Sequence, residues 1–526
     1  MRVVSHRFLV FSLLVPAVLL LSSCSLIKVR EDWDPVRNPV IPLDDARNAW
    51  NEIRDGRIPG KEALEEYNDA VLNSVVQIAE NWESGERALS VIETSDGPIR
   101  IGVEALNLRN IQTIDQVIPA EFIRVKKGFD SQTLVNGVGT PLLVRQRRVE
   151  ADPMIPETGV WYPISGILNF DQPNRPVLQL IDPTREPYLP FQGSRIPLSV
   201  NYTASLARDF EDRQNLLPNA PALLRFEKYA ERMGMYRISA FDPEKQVCIL
   251  VHGINSSPMT WHKFLNSAYA DPQVRARYEF WTFGYPTGAS IPYLASEFRE
   301  SIGRLLEFRA RNSARDSNLV IVGHSMGGLL AKAVTQHGGE QEWNRLFTVP
   351  IEELKVSEED REVMRKMFYY RPIPEVERVV LCSVPHRGSR LAKKPGVRLI
   401  SSLVQVPEQL AEVTKDILKQ SSYVLTPEGF ELAKKNLSSV DQLRPASRVT
   451  AEFLNKPLNP GVKFYSVIGS KVDRPLPLEE TTDGVVDYTS SHIEGVISEK
   501  VILDSPHGVH RTPGGVAEII RILRLP

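Results

Sequence analysis

At 526 residues the chain is too long for one ordinary core and points to about two to four domains. Its 42% hydrophobic and 24% charged content excludes a disordered or fibrous protein. A formal net charge of −2 removes any general electrostatic case for nucleic acid as a partner, and nothing repeats at a fixed period.

Residues 1–23 read as an export address. Arg2, His6 and Arg7 precede the apolar run Phe8 to Leu21, which fits a charged n-region and an h-region and is short for a membrane span; a plain membrane anchor stays open. The run ends in Leu21-Ser22-Ser23-Cys24, which resembles a bacterial lipobox. That resemblance implies that Cys24 is lipidated and becomes the mature N-terminus. The non-acidic Ser25 behind it implies the outer membrane. Residues 24–60, rich in proline and charge, then read as a lipidated tether.

The apolar spacing of Leu64, Tyr67, Ala70, Val71, Val75 and Ile78 predicts one helix over Lys61 to Trp82. Strand-like runs follow at Ile99 to Leu106, Glu121 to Val125, Leu142 to Val149, Trp161 to Leu168, Val177 to Ile181 and Ile196 to Tyr202, separated by Pro, Gly and Asp turns. Residues 61–230 are therefore expected to form a smaller β-rich domain with one helix and a largely antiparallel sheet. Its last strands could instead edge the next sheet.

From residue 231 the pattern alternates strand and helix, the mark of an α/β domain with a mostly parallel sheet. Gln246 to Val251 is a buried strand that ends in His252-Gly253-Ile254-Asn255-Ser256. Helical material near Trp261 to Ala268, a strand at Phe280 to Tyr285 and a helix from Tyr293 to Arg311 follow. The apolar Leu319 to Val322 then leads into Gly323-His324-Ser325-Met326-Gly327. A glycine, serine and glycine so spaced between strand and helix form a nucleophile elbow, which exposes Ser325 at a helix N-terminus where amide N–H groups point at a developing anion.

Val379 to Ser383 is the next strand and runs into Val384-Pro385-His386-Arg387-Gly388-Ser389. Segments 338–377 and 392–460 interrupt the alternation as insertions, the second with an amphipathic pattern at Leu399, Leu403, Val406, Leu410, Val413 and Ile417. These helices either pack on the sheet or cap a pocket. Phe464 to Ile468 and Val501 to Leu503 are the last strands. Between them lies Thr482-Asp483-Gly484-Val485-Val486, and after them come His507, His510 and a closing helix from Val516 to Leu525. If the fold implied by the resemblance below holds, Cys248 and Cys382 sit on strands flanking the Ser325 strand, about 9.6 Å apart by strand spacing. A bridge reaches only about 7 Å, so both are expected as free thiols.

Residues from about 245 onward resemble the α/β-hydrolase superfamily, in its lipase-like branch, through Gly-His-Ser-Met-Gly-Gly, Pro-His-Arg-Gly-Ser, Asp-Gly-Val-Val and a histidine after the last strand. The resemblance implies an α/β-hydrolase fold with helices on both faces of the sheet and helical cap insertions, preceded by the smaller β-rich domain. It makes Ser325 the nucleophile, Asp483 the acid and His507 the base. The family interval of a little over twenty residues from acid to base favours His507, 24 residues on (507 − 483), over His510, 27 residues on (510 − 483), which remains the alternative base. The amides of Ile254 and Met326 would form the oxyanion hole. His386 is expected to shape a loop. Some such lipases hold calcium through an aspartate soon after the histidine, and none stands at 508–510, so no metal or cofactor is expected.

The implied activity is hydrolysis of acyl esters through an acyl-enzyme, with an ester or lipid as substrate and a membrane contact through the N-terminal lipid. An acyltransferase with the same triad, and a non-catalytic envelope lipoprotein on a hydrolase scaffold, are the alternatives.

Overall fold

A computed structural model describes residues 27–32, 41, 43–82, 89–108, 111–172, 175–191, 194–393, 403–420, 423–434, 438–444, 456–474 and 477–526. The signal segment and Cys24 lie outside them.

The N-terminal half is built on a six-stranded sheet in the order Leu89–Thr94, Gly97–Ala105, Val177–Ile181, Val160–Asn169, Thr140–Gln146, Ile114–Pro119. Neighbours are antiparallel except Gly97–Ala105 beside Val177–Ile181. Side chains alternate across a strand, so Val160–Asn169 serves two cores at once. Tyr162 and Ile164 pack with Tyr67 and Val71 of the helix Lys61–Trp82, while Trp161 packs with Ala204 of the helix Tyr202–Arg213.

The segment expected as a tether is structured over most of its described residues. Lys28–Glu31 pairs antiparallel with Ile123–Lys127, and Leu43–Arg54 is a helix. Leu43, Ala46, Ala49, Trp50 and Ile53 share one buried face of it, with Asp44 and Asp45 in the first turn and Arg54 in the last, each suited to the helix dipole. Pro35, Pro39 and Pro42 immediately before it masked this periodicity in the sequence. The expected strand Ile196 to Tyr202 is instead split into Ser194–Pro197, paired with Tyr188–Phe191, and Val200–Asn201, paired with Leu134–Val135. Asn201 caps a new helix, its side-chain oxygen accepting the Ala204 N–H at 2.9 Å.

The second sheet has seven strands: β1 (Gly234–Arg237), β2 (Gln246–Val251), β3 (Tyr278–Gly284), β4 (Leu319–His324), β5 (Val376–Cys382), β6 (Lys463–Gly469) and β7 (Ser498–Ile502). Their order is β1-β3-β2-β4-β5-β6-β7, and every pairing is parallel except β1 with β3. Helices cover both faces, as the unbroken apolar strands require. Val247, Ile249, Val251 and Ile321 face the helices Ile291–Arg311 and Met326–Ala333. Cys248, Leu250, Val320 and Val322 face His262–Ala270 and Pro513–Arg524. Cys248 and Cys382 are buried free thiols.

Tyr202, Leu206 and Phe210 belong to that second core cluster, so the helix Tyr202–Arg213 packs against both sheets. Among the described residues of the insertions the α-helices are Glu340–Leu346 and Glu358–Phe368, then Glu408–Lys419, Pro427–Lys434 and Ser439–Gln442. Leu410, Val413 and Ile417 form the buried face expected of them, but Leu403 is exposed and the helix starts only after Pro407. Leu399 lies outside the described residues. Among those residues, no helix is long and apolar enough to cross a membrane.

Trp50 is fully buried and donates its indole N–H to Asp171 at 3.1 Å. Trp50→Ala is expected to cost about 3–5 kcal/mol of stability, the range for a large buried aromatic. A urea midpoint unchanged from wild type would mean that this helix is not docked.

Candidate active site

Strand β4 delivers the chain into a turn that only a tight backbone packing permits. Ser325 sits at φ 53°, ψ −124°, outside the regions that non-glycine residues ordinarily occupy, at a cost on the order of 1–3 kcal/mol. Its N–H donates to the Cys382 carbonyl at 2.9 Å, and its own carbonyl accepts from Gly328 at 3.0 Å, so the turn is held from both sides. A Cβ on Gly327 would stand 2.4 Å from the carbonyl oxygens of Val251 and His252, and one on Gly253 would stand 2.9 Å from Ser325 Cβ. Glycine at these two places lets β2, its following loop and the serine turn touch backbone to backbone.

The loops after β6 and β7 bring the other two side chains to the serine. His507 Nε2 lies 2.9 Å from Ser325 Oγ, and His507 Nδ1 lies 2.7 Å from Asp483 Oδ2. Asp483 Oδ1 accepts the amide N–H groups of Val485 at 2.8 Å and Val486 at 2.7 Å. A carboxylate only accepts, so the Nδ1 proton of His507 points to Asp483 and Nε2 is left to accept from the serine hydroxyl. Burial works against ionising Asp483, but the adjacent His507 and the two amides outweigh it and hold the carboxyl below its ordinary range.

His510, the other histidine in reach by sequence, is elsewhere. It is fully buried, its Nε2 is 2.7 Å from Thr260 Oγ1, and burial pushes its pKa well below the ordinary histidine value. His386 is also fully buried, and its amide donates to the Ser490 carbonyl at 3.0 Å.

Ile254 follows Gly253 directly and Met326 follows Ser325. Neither amide N–H donates to a protein acceptor among the described residues. The loop carrying Ile254 is braced from behind: Tyr285 donates its hydroxyl to the His252 carbonyl at 2.6 Å, and Thr287 Oγ1 accepts the Asn255 N–H at 3.1 Å. The sequence held no sign of this brace, because a buried tyrosine at the end of a strand looks like any core residue. Among the described residues no group of three or more His, Cys, Asp or Glu side chains is placed to hold a metal ion.

Residues 248–519 match the sequence model of the alpha/beta hydrolase family, a little over half of the chain, and the chain belongs to that family. Among solved structures it is similar to the mature form of the Bacillus licheniformis lipase BlEst2, at 14% identity over 54% of this chain and 94% of that one, with a TM-score of 0.32. It is also similar to esterase B from Lactobacillus Rhamnosis, at 13% identity over 55% and 78% of the two chains with a TM-score of 0.29. A metagenomic carboxyl esterase shows 18% identity over 51% and 65%, with a TM-score of 0.27. Similarities of this size leave the chemistry to the residues themselves. No curated protein sequence matches the chain.

Because Asp483 ionises more readily folded than unfolded, its stabilising contribution is complete above the unfolded aspartate value of about 3.9 and disappears as pH falls through its lower folded value. Asp483→Asn is thus expected to be less stable than wild type near neutral pH and to approach it in acid. Urea midpoints separated by the same amount from neutral pH down through the acid range would contradict this.

Proposed function

We propose that the chain is a serine hydrolase that cleaves carboxylic esters through Ser325, His507 and Asp483. The observation that carries this reading is the continuous run of hydrogen-bond contacts from Asp483 through His507 to a serine held at positive φ. His507 Nε2 takes the hydroxyl proton as Ser325 Oγ bonds to the acyl carbon, and the carbonyl π electrons move onto oxygen. The free amides of Ile254 and Met326 receive that oxyanion, each worth on the order of 3 kcal/mol. His507 then protonates the departing alkoxide, the C–O bond breaks, and an acyl-enzyme remains. Water, deprotonated by the same nitrogen, releases the acid and restores the serine. No step calls for a cofactor.

An apolar wall beside the oxyanion loop supports an acyl substrate. Leu223 and Val440 are buried there with Leu224, Ile254, Leu391 and Val404 around them. Ser325 itself is only 3% exposed.

Ser325→Ala should remove both turnover of p-nitrophenyl esters and labelling by a fluorophosphonate probe, with the melting temperature retained. Labelling that persists in the alanine variant would place the nucleophile elsewhere. A panel of esters of graded acyl length then reads out the depth of the apolar wall.

We also propose that Cys24 is lipidated and anchors the chain to a bacterial envelope membrane, in keeping with the Leu-Ser-Ser-Cys run after an apolar segment. Ile27 is buried in the core with Val200, Tyr202 and Phe210, three residues from Cys24. Three residues span at most about 11 Å, so the anchor would hold the folded body close to the bilayer instead of on a long leash. Cys24→Ala is expected to abolish incorporation of radioactive palmitate while ester turnover by the purified protein is unchanged. A wild-type protein that takes up no lipid would sink the anchor and leave the esterase reading intact.

A further inference from the structure

His324 lies immediately before Ser325 and takes no part in the proposed proton relay, yet its ring sits between the loop after β2 and the loop that carries His507. Its Nε2 is 2.9 Å from the backbone carbonyl oxygen of His507. A carbonyl only accepts, so Nε2 carries the proton and Nδ1 is bare. That bare nitrogen is buried without a hydrogen-bond partner and faces the oxyanion loop, 3.2 Å from where a Cβ on Gly253 would stand.

The ring is also one layer of a column. His324 packs against His507 with centroids 4.8 Å apart and against His510 at 4.0 Å, and His510 in turn lies 4.6 Å from Trp261. The far end is fixed by the contact of His510 Nε2 with Thr260 Oγ1. His324, His510 and Trp261 are 5% exposed or less, whereas His507 is the layer that opens to the site. Thr260 and Trp261 belong to the short helical turn that follows the oxyanion loop, so the column ties β2 to the loop after β7.

We propose that His324 is a positioning residue that clamps the His507 backbone, with His510 and Trp261 as its backing, and so fixes the base in line between Asp483 and Ser325. The assignment accounts for the two histidines that flank His507 in space, His324 and His510. It rests on the serine-hydrolase reading for its kinetic consequence but not for its geometric one. His324 is surrounded by His507, His510, Arg511 and Asp483, and burial first, then the charge of His507, drives its pKa well below the ordinary value. A neutral ring suits the task, because a second cation beside His507 would oppose protonation of the base during acyl transfer.

The test compares His324→Leu, which keeps bulk and loses the donor, with His324→Gln, whose side-chain amide can still donate to the His507 carbonyl. On a soluble p-nitrophenyl ester, the leucine variant should lose about 10- to 100-fold in kcat with KM within about twofold, the size of effect a misplaced reacting group produces. The glutamine variant should recover to within about fivefold of wild type. In parallel, the far-downfield proton resonance of the His507 to Asp483 hydrogen bond should be lost in His324→Leu and kept in His324→Gln. Equal turnover in the two variants, or a downfield proton unaffected by leucine, overturns the clamp. A wild-type chain with no ester turnover but with the expected resonance pattern would sink the hydrolase reading and leave the clamp standing.

Discussion

The close approach of two backbone segments at the end of β4 is the constraint on which the site depends. Val251, His252 and Gly253 touch the Ser325 turn with no side chain between them, since a Cβ on Gly327 would overlap two carbonyl oxygens at 2.4 Å. That contact forces Ser325 to positive φ, and the strained turn points its hydroxyl away from the sheet toward His507. The strain is sustained because the elements on either side are among the most deeply buried in the chain. Strands β2 and β4 are buried at every residue and packed on both faces. A solvent-exposed loop could not hold such a conformation against its own relaxation.

From this one contact the rest of the site is assembled by topology. In an open parallel sheet the loops at the carboxyl ends of the strands gather at one edge. The loops after β2, β4, β6 and β7 supply Ile254, Ser325, Asp483 and His507 in that order along the chain. The register of β6 against β7 pairs Gly469 with Ile502, and Ser470 then donates to the Ile502 carbonyl at 2.9 Å. Those bonds carry the loop bearing His507 back over the loop bearing Asp483, 24 residues apart in sequence and 2.7 Å apart in space.

The hydrolase sheet was legible in the sequence because its central strands carry apolar runs such as Val247–Val251, Leu319–Val322 and Val379–Cys382, and its helices carry a clear apolar stripe. What could not be read has physical reasons. The edge strand β1 is four residues long with a mixed burial pattern, and only its antiparallel pairing with β3 makes it a strand. The helix Leu43–Arg54 carries its own apolar stripe, but three prolines and a high charge density beside it read as a loop, and the docking of Trp50 against the first sheet supplies stability that so short a helix lacks alone. In the site, Ser325, Asp483 and His507 could be named because motif and spacing mark them. Tyr285, Thr287 and His324 could not, since their significance lies in which carbonyl or amide they meet across the fold.

The insertion 392–460 is tied to the site by the same kind of unmarked contact. Thr287 holds the oxyanion loop through the Asn255 amide, and its carbonyl accepts the hydroxyl of Ser439. Ser439 also donates its amide to the Gly288 carbonyl at 3.2 Å, while Gln442 Oε1 accepts the Ile291 N–H at 2.7 Å. The helix Ser439–Gln442 is thus bonded at three points to the segment that braces Ile254, and Val440 on the same helix belongs to the apolar wall beside that residue. A displacement of this helix would strip partners from the brace and carry away part of the wall together. The insertion helix and the loop carrying Ile254 are therefore mechanically coupled through Thr287, Gly288 and Ile291.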